Sequence, residues 1–277
     1  MIPATFDYEV AESPDHALEL LGSRDDAVLL AGGHSLIPLL RLRFARPSLL
    51  VDIGRLAQLS YVKDAGEWLA IGALTRHKDL HADPLLQEHC PIVSHTAGRI
   101  GDPQVRHRGT IGGSLAHGHP ASDLPAVILA LDAELVIAGP AGTRTVAAGD
   151  FFRSAFQTAV GKDELLTEIR IPKLGRWTGW SYLKFTRRAQ DWATVGVAAL
   201  VRANGSVEDV RITLTNMGAT PIRAEGAEKA LLAGEADPAS HAAEGTSPPS
   251  DVAASAEFRA HLARVLGKRA IEEALSR

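Results

Sequence analysis

The chain has 277 residues, more than one compact unit usually holds, so two or three packed subdomains are expected. With 45% hydrophobic and 22% charged residues it has an ordinary globular composition, and a formal net charge of −4 argues against a nucleic-acid partner. The single cysteine, Cys90, permits no intrachain disulfide and cannot hold an iron–sulfur cluster, which takes about four thiolates, so any cluster must sit on another polypeptide.

The opening MIPATFDYEV lacks the basic start and apolar core of a signal peptide. No run of about 18 apolar residues follows, so no membrane span is expected and a cytoplasmic protein is the default reading. Ser13 and Pro14 read as the cap and first position of a helix that stops at Gly22. Residues 27–31 (AVLLA) read as a buried strand, followed at once by Gly32-Gly33-His34-Ser35 and a short helix through Arg43. Residues 49–53 read as the next buried strand of a small α/β unit with parallel strands.

From about residue 57 the pattern changes. Strands are expected at 59–62 and 68–71, then a helix capped by Thr75 and running through Leu80. A further helix is expected at 91–99, a non-helical glycine-rich stretch from Gly101 to Gly118, and an apolar helix at 124–131. Strands at 134–138 and 165–171 complete the unit. Gly175 to Gly179 reads as a linker. Three strands (180–185, 195–202, 210–215) and two helices (224–233, 257–275) follow, with a polar proline-bearing loop at 244–251. The expected division is 1–56, 57–173 and 174–277.

Two constellations carry chemistry. The first is Ala31-Gly32-Gly33-His34-Ser35, with Leu36 opening the helix behind it. A diphosphate needs several backbone N–H donors converging at close range, which larger side chains obstruct. Ser35 adds a hydroxyl, and the helix points its positive end at the anion. The motif is neither GxGxxG nor a Walker loop, and taken alone a tight turn remains the commoner reading. The second is Gly109-Thr110-Ile111-Gly112-Gly113-Ser114, another glycine-rich turn with two hydroxyls. Asp123 follows nine residues after Ser114 and reads either as a helix cap or as an acceptor for ribityl or ribose hydroxyls. A long dinucleotide wedged between two subdomains would need both turns.

Several segments together identify a resemblance: AGGHSLIPLLRLR (31–43), IGDPQVRHRGTIGGSLAHGHPASDLPAV (100–127), RAQDWATVGVA (188–198), LTNMGATPIRA (214–224) and SAEFRAHLARVLGKRAIEEAL (255–275). Along essentially its whole length the chain resembles the FAD-binding medium subunit of the xanthine dehydrogenase / carbon monoxide dehydrogenase family of molybdenum hydroxylases. The resemblance implies an α+β fold. It consists of a two-part FAD-binding domain of the vanillyl-alcohol oxidase (PCMH) type and a small C-terminal α+β domain with a three-stranded antiparallel sheet.

It also implies non-covalent FAD. Gly32 to Ser35 and Thr110 to Ser114 would wrap the diphosphate, Asp123 would hold the ribityl or ribose region, and Ile100, Gly101 and Leu166 would line the flavin environment. Lys184 would lie near the pyrimidine end of the isoalloxazine, where a cation stabilises negative charge, and Trp192 would lie against one ring face. From the residues alone, Lys184 reads as a solvated strand lysine and Trp192 as a core aromatic. The partners implied are a small subunit with two [2Fe–2S] clusters and a large molybdopterin subunit, assembled as a dimer of heterotrimers. This chain would relay electrons, and the substrate pocket would lie elsewhere.

The sequence departs from the family pattern at His119, where relatives often carry an acidic residue, and at Ser114, where some have Asn. Neither change removes a backbone donor. His117 and His119 form an H-x-H pair without a third ligand at a recognisable spacing and read as loop histidines rather than a metal site. His34 is a conceivable covalent attachment point, against family precedent. Two rivals are a self-contained flavin oxidase, disfavoured by a small C-terminal domain without an acid–base pair, and a flavin-free docking scaffold, disfavoured by the intact glycine turns.

Overall fold

The computed structural model describes residues 2–177 and 179–277, the Arg176 side chain excepted. Chain order begins β1 (Asp7–Val10), α1 (Pro14–Gly22), β2 (Val28–Leu30), α2 (Leu36–Leu42), β3 (Leu49–Asp52). Ser13 caps α1 by accepting from the His16 N–H at 3.0 Å, and Pro14 opens the helix where a missing N–H costs nothing. The three strands form a parallel sheet in the order β1-β3-β2. Ala17, Leu49, Val51 and Ile53 pack beneath it.

The middle unit is β4 (Val62–Ala65), β5 (Trp68–Gly72), α3 (His77–Ala82), α4 (Pro84–His89), α5 (Pro91–Gly98), α6 (Pro103–Arg108), α7 (Ile111–His117), α8 (Asp123–Ala130), β6 (Glu134–Gly139), β7 (Gly142–Ala147), α9 (Ala148–Phe151), β8 (Phe152–Ser154), β9 (Gln157–Thr158) and β10 (Leu165–Pro172). Its antiparallel sheet runs β4-β5-β10-β6-β7. Leu69, Ile71, Leu135, Ile137, Ile169 and Ile171 bury one face against α5 and α8.

Three local expectations are corrected. Residues 57–59 form a 3-10 turn, and the strand begins only at Val62. Thr75 caps nothing; its hydroxyl donates to the Gly72 and Tyr61 carbonyls, and Arg76 occupies the cap of α3. The stretch 101–118 contains two helices, α6 capped by Asp102 and α7 capped by Thr110. Glycine density suggested otherwise because glycine disfavours helix in isolation. Here the bare backbone serves close packing: a Cβ on Gly112 would stand 2.6 Å from the Ala73 carbonyl oxygen.

The expected linker 175–179 lies partly outside the described residues, at 178; Leu174–Arg176 is a 3-10 turn, and β11 spans Gly179–Phe185. The remaining elements are β12 (Val195–Asn204), β13 (Ser206–Thr215), β14 (Ile222–Arg223), α10 (Glu225–Leu232) and α11 (Ala256–Leu275). The antiparallel sheet β11-β12-β13-β14 therefore has four strands, not three. The extra strand is two residues long, too short to leave a periodic signature. Val195, Val197, Ala199 and Val201 of β12 face α10 and α11, whereas Ala198 and Leu200 join the core of the middle unit. The sheet is thus covered on both faces, by α11 on one side and by α8 on the other.

Candidate cofactor site

The two glycine turns meet. A Cβ on Gly32 would stand 2.3 Å from the carbonyl oxygen of Arg108. Only glycine permits that approach of the first unit to the chain leading into α7. The Arg76 guanidinium fastens the junction by donating to the Arg108 and Gly54 carbonyls. Beside the junction opens a cavity of about 870 Å3, within the size range of cofactor sites. Ala31 to Leu36, Ile100, Gly101, Thr110, Gly112 to Ser114, Asp123, Leu166 and Trp192 all line it. Ile111 and Lys184 do not: Ile111 is wholly buried in the core of the middle unit.

The turns contribute differently. The N–H groups of Gly32, Gly33, His34 and Ser35 donate to no acceptor among the described residues. They precede α2, whose dipole adds positive potential, and together they suit an anion. In the second turn, by contrast, the N–H of Gly112 is taken by the Ala73 carbonyl, that of Gly113 by the Thr110 hydroxyl and that of Ser114 by the Thr110 carbonyl. That turn offers bare glycine surface and hydroxyls rather than a second set of free donors. His77, also in the lining, is buried with Nδ1 lacking a partner among the described residues. Burial, with the neighbouring Arg76 charge, pushes its pKa down to about 4, so it is neutral at pH 7.

Asp123 is the most constrained group in the lining. It is not a cap; Ser122 holds that position and Asp123 is the first residue of α8. Tyr182 donates to its Oδ1 at 2.5 Å and Lys184 to its Oδ2 at 3.0 Å. Tyr182 and Lys184 are two apart on β11 and so project from the same face, toward α8. The Asp123 and Lys184 side chains are each only 4% exposed. Burial raises the Asp123 pKa, an effect opposed by the Lys184 charge and the two hydrogen bonds. Tyr182 is pushed well above its ordinary value by burial and by the adjacent carboxylate. Lys184, expected at a flavin ring, has its ammonium in this ion pair with Asp123 and is not among the residues that line the cavity. Each Asp123 oxygen retains a lone pair, so acceptance of a further hydroxyl is compatible with the triad.

Trp192 is half-exposed and stacks on His119, with ring centroids 4.5 Å apart and planes 5° from parallel. The Ala121 N–H donates to His119 Nδ1 and holds that imidazole in place. Phe156, at the tip of the β8–β9 hairpin, meets the rings of His117 and His119 edge-on. The histidine pair is thus built into an aromatic cluster, and no group of three metal-ligating side chains occurs among the described residues.

Sequence reasoning missed His77, Val105, Phe156, Gln157 and Thr158 in the lining. Nothing short-range marks them. The β8–β9 strands span three and two residues, and His77 is recruited by the Arg76–Thr110 bridge.

Residues 4–174 match the family model of the FAD binding domain in molybdopterin dehydrogenase, and residues 180–274 that of the CO dehydrogenase flavoprotein C-terminal domain. The carbon monoxide dehydrogenase medium chain of Hydrogenophaga pseudoflava is 41% identical, over 100% of this chain and 99% of that one. The glyceraldehyde dehydrogenase medium chain of Sulfolobus acidocaldarius is 38% identical over 99% of each. Among solved structures, a chain of carbon monoxide dehydrogenase from Hydrogenophaga pseudoflava superposes with a TM-score of 0.96, at 41% identity, covering 100% of this chain and 99% of that one. No helix among the described residues is long and apolar enough to cross a membrane. The chain belongs to the FAD-binding medium subunits of the CO dehydrogenase / xanthine dehydrogenase family of molybdenum hydroxylases.

Proposed function

We propose that this chain holds FAD across its two glycine turns and relays electrons within a heteromeric molybdenum hydroxylase. The observation that carries the reading is the row of four N–H donors from Gly32 to Ser35, unused among the described residues, in one large cavity that Gly112 to Ser114 also line. The chemistry supplied by bound FAD is acceptance of electrons from an iron–sulfur cluster on a partner and their delivery to an external acceptor.

The chain's own residues bind and orient. Gly32 to Ser35 neutralise the diphosphate, and Thr110 and Ser114 add hydroxyls beside it. Asp123 accepts from ribityl or ribose hydroxyls, held in place by Tyr182 and Lys184. Lys184 thus acts through Asp123. Ile100, Gly101 and Leu166 supply the apolar flavin wall, and Trp192 covers one ring face at the mouth. No residue here is assigned to turnover of an organic substrate.

The functional division we infer is 1–56 and 57–173 for the cofactor and 174–277 for the C-terminal domain, which closes over the site by way of Tyr182 and Lys184. Partners are a small [2Fe–2S] subunit and a large molybdopterin subunit, in a dimer of heterotrimers residing in the cytoplasm. The name of the similar carbon monoxide dehydrogenase chain, a medium chain, supports a multi-subunit setting.

The test is direct. The purified chain, alone and with its partner subunits, should show a flavin spectrum, and acid should release FAD into the supernatant. Gly32→Val should abolish uptake. A colourless protein that takes up no FAD in either state refutes the reading. Pigment that stays with the denatured protein refutes non-covalent binding.

A further inference from the structure

Helix α2 is apolar on nearly every side: Leu36, Ile37, Pro38, Leu39, Leu40 and Leu42 against a single arginine, Arg41. A helix with that composition is normally buried all round. Here only the inner side is covered. Leu40 is buried, and Leu36 and Leu39 line the cofactor cavity. On the outer side Ile37 and Leu42 are half-exposed, Phe44 is 80% exposed and Ile2, whose carbonyl accepts from Arg43 Nε, is 79% exposed.

The exposure is built in rather than left over. Arg43 ends the helix at φ +61°, a left-handed conformation unfavourable for a residue with a side chain and usually left to glycine. The N–H groups of Phe44 and Ala45 then both return to the Leu39 carbonyl. The residue after this turn, Phe44, projects outward and is 80% exposed. Three arginines, Arg41, Arg43 and Arg46, surround the apolar residues. None forms an ion pair among the described residues, and no acidic residue occurs between Asp26 and Asp52.

We propose that this outer face of α2, with Phe44 at its centre, docks the iron–sulfur partner subunit, and that the partner presents an apolar hollow ringed by carboxylates. The charge pattern specifies an acidic rim, and Phe44 is the kind of aromatic anchor that fills a pocket at an interface centre. Position favours the redox partner over any other. The same short helix lines the cofactor cavity with one side and carries this patch on the other, so an occupant lies one helix thickness, roughly 10–12 Å, from the cavity. The proposal rests on the electron-relay reading given above.

The experiment is to measure binding of the full-length FAD-loaded chain to the purified iron–sulfur subunit, for wild type, Phe44→Asp and Arg41→Glu/Arg46→Glu. FAD content and thermal midpoint serve as controls. Wild-type binding should weaken as salt rises. Phe44→Asp should weaken it at least ~30-fold, the size expected of a central anchor. The arginine double variant should weaken it and flatten the salt dependence, and both variants should keep their FAD and their melting temperature. If wild type binds and both variants bind equally well, the docking site is wrong while the relay stands. The docking site is equally wrong if the variants lose only the large subunit, or only self-association. If wild type binds no iron–sulfur subunit, the relay reading fails with it.

Discussion

Lys184→Met keeps the straight aliphatic stem of the side chain and removes only the ammonium that meets Asp123 Oδ2 at 3.0 Å. Both side chains are 96% covered, so the carboxylate is left largely desolvated, with Tyr182 as its remaining hydrogen-bond donor among the described residues. Breaking a buried pair in this way costs about 3–5 kcal/mol, a large share of the roughly 5–15 kcal/mol that stabilises a typical domain. The deficit should also depend on pH, with a sign fixed by burial. Burial already raises the Asp123 pKa in the folded state, and loss of the opposing lysine charge raises it further. A carboxyl group raised on folding destabilises wherever it is ionised. That penalty fades as the pH falls below the folded pKa, by up to about 1.4 kcal/mol per unit, until the ordinary value of 3.8 is reached. Urea unfolding should therefore show a larger deficit at pH 8 than at pH 4, close to the ordinary value. Adding Asp123→Asn should restore part of the stability at pH 8, because the amide carries no charge to strand. A deficit below 1 kcal/mol, or one of equal size at both pH values, would refute the argument that an ionised, desolvated Asp123 is what Lys184 supports.

Three further outcomes follow from the packing. Gly112→Ala drives a Cβ to 2.6 Å from the Ala73 carbonyl and should destabilise by about 1–3 kcal/mol in urea unfolding; an unchanged midpoint would mean that α7 can slide away from its neighbour. Cys90 is wholly buried and its thiol is pushed up to about 12, so a thiol reagent at pH 8 should label it only as the chain unfolds. Labelling of the native protein within minutes would contradict that burial. His119→Ala removes the ring on which Trp192 lies and should shift the emission of that indole to longer wavelength, read as a difference against Trp192→Phe; identical difference spectra in the two backgrounds would show that the stack is not populated in solution.

Much of this protein was legible in the sequence because the relevant information is local. Ser13-Pro14 starts a helix by satisfying one donor and dispensing with another, and Gly32-Gly33-His34-Ser35 marks a bare-backbone turn into an apolar helix. The apolar run at residues 195–202 read as a strand, and one cysteine ruled out a resident cluster. What these patterns could not settle is which groups meet, since that depends on where distant elements come to rest. Lys184 read as solvated or ring-facing until β11 laid it against α8, sixty-one residues away, where it pairs with Asp123. Gly112 read as part of a turn because the Ala73 backbone that requires a glycine there belongs to another segment. Phe156 and His77 carry no mark of the cavity at all. Local sequence sets the torsions a segment prefers, whereas burial, and with it every shifted pKa and every buried pair in this site, exists only once the three units have closed on one another.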